Sequence, residues 1–133
     1  MTIAELIERL EKATGPTYAL DVDIFKFRWP EYADYIQGRG GLIHPMDGED
    51  VRVPSNVRPG NYTASIDAAL SLITLLPDAN CWGIDKDERG AQAHVQRNGV
   101  ASGHWAQFAE HRSPAIALCL AILKAKQGDE VAA

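Results

Sequence analysis

One segment near the C-terminus narrows the possible folds more than any other. From Ser113-Pro114 onward, Ile116, Leu118, Cys119, Leu120, Ile122 and Leu123 follow helical spacing yet cover more than half of the helix circumference before Lys124 and Lys126. A helix this widely apolar must be deeply buried, and a sheet is the neighbour broad enough to receive it. Serine followed by proline suits its start, where the first amides lack intrahelical partners, and Gly128 is the expected stop. Residues 129–133 are then a frayed tail.

The sheet is expected directly upstream. Residues 81–86 and 91–97 alternate so that Trp82 and Ile84 share a face with Ala93 and Val95, across a turn at Asp87-Glu88-Arg89-Gly90. Cys81, Gln92, His94 and Gln96 point the other way. Residues 104–111 form the third strand, with either Trp105 and Ala109 or Ala106 and Phe108 on its inner face. Ahead of the strands, Thr63 is placed to cap a helix that turns Ile66, Leu70 and Ile73 inward, widened by Leu72 and ended by Pro77.

At the N-terminus, Thr2-Ile3-Ala4-Glu5 is a capping box, and Ile3, Leu6, Ile7 and Leu10 make one apolar face. Glu5 with Arg9 and Glu8 with Lys12 are i, i+4 pairs on the wet face. Gly15-Pro16 separates this helix from a second one bearing Leu20, Ile24 and Phe27 and closed by Pro30. Residues 28–61, dense in glycine and proline, form an irregular insertion, with a hairpin expected to turn at Asp47-Gly48. The fold class is therefore α/β of the α+β kind: two N-terminal helices, the insertion, a helix, a three-stranded antiparallel sheet and a closing helix. At 133 residues this is one domain, spanning 1–128.

Charge and cysteine usage limit the function. A net charge of −5 disfavours a groove for long nucleic acid. Helix, three strands and helix is also the order of a double-stranded RNA-binding domain, but such domains need a lysine-rich start to the last helix, and here that start is Ser113-Pro114-Ala115-Ile116. No apolar run is long enough to span a membrane, and two cysteines, Cys81 and Cys119, make no disulfide framework, so a cytoplasmic protein is expected. Cys81, His94 and His104 match no metal-site spacing, and no cofactor or metal is expected. Cys81 beside His94 is the candidate nucleophile and base for a small hydrolase; it lacks a glycine-framed elbow and an orienting carboxylate. Cys119 reads as a small core residue. Trp82 and Trp105 read as core filling on one sheet face.

What remains is a set of rings and guanidinium groups: Trp29, Tyr32, Tyr35 and Tyr62 with Arg28, Arg39, Arg52, Arg58, Arg97 and Arg112. Rings stack on bases and arginines pair with phosphate, which is the chemistry of a nucleotide site. In that arrangement Trp29 and Tyr62 stack, Arg58 and Arg112 pair with phosphates, and Thr63 offers backbone donors from a helix start.

Three stretches resemble the phage ABA-sandwich domain proteins carried by phages and prophages. Residues 6–16, with Leu20-Asp21, resemble that family's opening; Tyr62-Thr63-Ala64-Ser65-Ile66-Asp67-Ala68-Ala69-Leu70-Ser71-Leu72 resembles its most characteristic stretch; and residues 113–125 resemble its closing helix. The chain departs from the family at residues 28–61, which are longer and richer in glycine. The resemblance implies an α/β/α sandwich of phage origin, without catalytic residues to carry over. By analogy with small phage proteins that counter host defence, the expectation ranked first is a non-catalytic sponge for a cyclic-nucleotide immune signal, acting as a homo-oligomer. The alternative is a protein-interaction module acting on a host or phage protein.

Overall fold

The computed structural model describes residues 2–30, 35–37, 43–45, 60–97 and 106–132. Helix α1 (Ile3–Lys12) starts as the capping residues require, with the Thr2 hydroxyl accepting from the Glu5 amide at 3.2 Å. It buries Ile3, Leu6, Ile7 and Leu10. Of the expected surface pairs, Glu8 and Lys12 meet at 2.7 Å, whereas Arg9 crosses to Asp23 on the next helix. Helix α2 (Tyr18–Arg28) is capped by Thr17, whose hydroxyl accepts from the Leu20 amide at 3.2 Å, and ends at Trp29, one residue before Pro30.

Strands β1 (Tyr35–Gln37) and β2 (Ile43–Pro45) form a two-stranded antiparallel hairpin within the insertion. Its connection is residues 38–42, so this hairpin closes ahead of the expected turn at Asp47-Gly48, which lies outside the described residues. Helix α3 (Ile66–Leu70) is short and tightens into a 3₁₀ turn, Ser71–Leu75. Its cap is Ser65, whose hydroxyl accepts from the Ala68 amide at 3.3 Å, and not Thr63. Ile66, expected to face inward, is 39% exposed, while Ala69 and Leu72 carry the buried side. The tighter winding after Leu70 shifts the apolar positions around the axis relative to a continuous α-helix.

Strands β3 (Ala79–Asp87), β4 (Gly90–Arg97) and β5 (Ala106–His111) form an antiparallel sheet in that order. The register pairs Trp82 with Val95, Ile84 with Ala93 and Ala93 with Ala109. The alternation expected for β3 and β4 is therefore the observed one, and β5 turns Ala109 inward and Phe108 outward. Helix α4 (Pro114–Ala132) lies across β4 and β5, with α1 and α3 packed on it from the other side. Every side chain from Ala115 to Leu123 is buried. This placement between the sheet and the helices explains why the segment is apolar nearly all round. Contrary to expectation, α4 runs past Gly128 to Ala132, because Gly128 does not adopt the positive φ that closes a helix; among the described residues only Gly90 has one.

Trp82 is also corrected. It shares the α4 face of the sheet but sits on the edge strand β3, beyond the main α4 contact, and is 40% exposed, so it is not core filling. Trp105 lies outside the described residues.

Candidate ligand-binding cleft

The end of the sheet where β3 turns into β4 is built around a glycine. Asp87 pairs with Gly90 across Glu88-Arg89, and the Arg89 amide donates to the Asp87 carboxylate at 2.8 Å. Gly90 has φ +142°, and a Cβ there would lie 2.9 Å from the His111 carbonyl oxygen and 3.2 Å from the Arg112 Cα. The hairpin tip therefore lies against the corner where β5 passes into α4, and only glycine allows that approach.

His111 fixes the same corner to the N-terminal helices. Its Nε2 is 2.8 Å from the Ala13 carbonyl, and its Nδ1 accepts from the Ser113 amide at 2.9 Å. A carbonyl can only accept and an amide can only donate, so these partners define the neutral tautomer with hydrogen on Nε2. Between tip and corner lies a cleft of about 420 Å³ lined by Lys86, Arg89, Gln92, Glu110, His111 and Arg112, among others. Asp85 and Asp87 also face it, so its three cations are matched by three carboxylates.

On the outer face of the sheet, Gly83, His94 and Phe108 stand opposite one another on the three strands. The His94 ring occupies the space where a side chain of Gly83 would be, since a Cβ there would fall 2.4 Å from His94 Cε1. The His94 and Phe108 ring centroids are 5.7 Å apart at 37°, and Phe108 is 52% exposed.

Of the five residues expected to form a ligand site the structure describes four; it turns Tyr62 and Thr63 into the core and sets Thr63 beside the start of α4, its carbonyl accepting from Ser113 Oγ at 3.4 Å, one residue from Arg112. Arg112 is exposed at the rim of the cleft. Trp29 is 41% exposed at the end of α2, with the Arg28 guanidinium 5.2 Å from its ring centroid. That guanidinium also bonds Ser71 Oγ at 3.0 Å and Thr74 Oγ1 at 3.3 Å, tying α2 to the 3₁₀ turn. Arg97 likewise serves the fold, pairing with Asp78 at 2.7 Å. Arg58 lies outside the described residues.

Tyr62 and Thr63 face inward. Tyr62 is 4% exposed, with its ring 3.2 Å from where a Cβ on Gly60 would be. Burial raises its phenol above the ordinary tyrosine range, opposed by the nearby Arg28 charge. Thr63 is fully buried; its amide and hydroxyl both donate to Asp21 Oδ1, at 2.9 and 2.8 Å, and its hydroxyl accepts from the Thr17 amide at 3.1 Å. It is not at a helix start, and its donors are engaged within the protein. The expected stacking and anion-binding roles of these two residues are replaced by structural ones.

The remaining chemistry is sparse. Cys81 pairs across the sheet with Gln96 and is diagonal to His94, roughly 7–8 Å away by sheet geometry, and His94 packs on Gly83 and Phe108 instead. Burial pushes the Cys119 thiol far above the ordinary range, and its Sγ donates to the Tyr62 carbonyl at 3.4 Å, the behaviour of an inert core thiol. Among the described residues there is no cluster of three or more potential metal ligands, and no helix is long and apolar enough to cross a membrane. No family model, curated protein or solved structure matches the chain.

Sequence reasoning missed the cleft because Asp87-Glu88-Arg89-Gly90 read only as the turn between two strands. The available signal was Gly90, a glycine at a strand start that marks a close approach.

Proposed function

We propose that the chain is a non-catalytic binding protein that takes up a small phosphate-bearing nucleotide and holds it intact, as a sponge for a cyclic-nucleotide signal would. The observation that carries this reading is that Arg89 of the hairpin tip and Arg112 of the β5–α4 corner line one cleft. Guanidinium groups pair bidentately with phosphate, and about 420 Å³ is within the usual range for a small-molecule site. The carboxylates opposite keep the cleft near neutrality, which suits one compact ligand and not a polyanionic strand.

A protein-interaction role is the second reading, favoured by the exposed Phe108 and Trp82. Thermal shift against a panel of cyclic dinucleotides, cyclic trinucleotides and cyclic ADP-ribose isomers separates the two. The nucleotide reading expects at least one member to raise the melting temperature, to be recovered uncleaved, and to lose its effect in Arg112→Ala. Silence across the panel supports the protein partner, and recovery of cleaved ligand supports an enzyme.

A further inference from the structure

We propose that the row Gly83, His94 and Phe108, which lies beside this cleft, is its base-stacking subsite, taking one purine against the exposed face of Phe108 with the tilted His94 ring at its edge; this rests on the nucleotide reading above. His94 can lie along the sheet only because Gly83 has no side chain, with 2.4 Å left to a Cβ. Phe108 extends the surface at 5.7 Å between centroids and is 52% exposed. The neighbouring rows carry polar groups, Gln96 between Cys81 and Ala106 on one side and Asp85, Gln92 and Glu110 on the other. The rings are thus a pair in a polar face, the size of a single base, and not the broad apolar area that a protein partner covers.

Those polar neighbours also define the occupant. Gln92 and Gln96 carry amide donors and acceptors suited to base edges. Asp85 and Glu110 as carboxylates only accept, which favours a base edge that presents donors, such as an exocyclic amine. The Asp85, Gln92 and Glu110 row begins the cleft two residues along the strands from the rings, roughly 7 Å away, and Arg112 lies two residues farther, roughly 13 Å from Phe108 along the strand, so that an extended arginine side chain meets the phosphate of a nucleotide stacked on Phe108.

Calorimetric titration with cyclic di-AMP, and separately with ribose 5-phosphate, tests this. Phe108→Ala is expected to weaken cyclic di-AMP binding about tenfold or more, as loss of a base-stacking ring does, and to leave ribose 5-phosphate unchanged. His94→Phe, which keeps a flat ring, is expected to retain binding, and Arg112→Ala to weaken both probes. An unfolding midpoint within error of wild type shows that exposed Phe108 acts on the ligand and not on the fold. Equal cyclic di-AMP binding by wild type and Phe108→Ala overturns the stacking subsite while leaving the nucleotide reading intact, and no binding of either probe by wild type overturns both. Loss of self-association by light scattering in Phe108→Ala, with nucleotide binding unchanged, assigns the face to a second copy and also overturns the subsite.

Discussion

Replacing Asp21 by alanine is expected to destabilise the protein by about 2–3 kcal/mol, read as a lower denaturant midpoint with unchanged slope. Asp21 is 5% exposed and accepts from both the amide and the hydroxyl of Thr63. Alanine leaves the buried Thr63 amide without a partner, and an orphaned buried donor costs more than the bond contributed when made. The hydroxyl can turn to the Thr17 carbonyl, 3.2 Å away, which limits the loss. Asp21→Asn keeps an acceptor oxygen and is expected to be milder.

The same residue makes stability depend on pH in a stated direction. Burial raises the Asp21 carboxyl above its ordinary 3.8, and the two Thr63 bonds oppose that only in part. Between 3.8 and the raised value the folded state holds the proton more tightly than the unfolded state. The proton-linked part of the Asp21 contribution is therefore fully present in acid below 3.8 and is lost as pH rises through the raised value, while the two Thr63 bonds persist. Wild type should lose stability relative to Asp21→Asn as pH climbs across that window; a difference independent of pH would contradict the assignment.

Leu118→Ala is expected to have the largest effect of any single truncation described, about 2–5 kcal/mol. Leu118 is fully buried in the first half of α4, where the helix lies between the sheet and the other helices. Ile66→Ala is the matched control. Both positions are apolar in helical patterns, but Ile66 is 39% exposed, and its truncation should cost less than about 1 kcal/mol. Similar losses at the two sites would contradict the burial of α4.

The elements were legible where a local rule and the tertiary fold agree. The Thr2 cap, the α1 face, the alternation of β3 with β4 and the depth of α4 all follow from periods and caps that the packing then uses. Thr63 misled because Thr63 and Ser65 are both good caps, and the choice is made by Asp21, a residue 42 positions away. Gly128 misled because glycine permits a helix stop without compelling one. The cleft was hidden for a related reason: Arg112, Gly90 and Lys86 meet only once the hairpin tip packs on the β5–α4 corner. The order of residues along the chain does not announce that meeting.

The location of the site is the central claim, and mapping amide chemical shifts during titration with cyclic di-AMP tests it most directly. Saturable changes are expected to concentrate in residues 83–94 and 108–113, with Trp29 and the buried Tyr62 and Thr63 little affected. Changes centred on Trp29 and the end of α2, or no saturable change at all, would contradict that location.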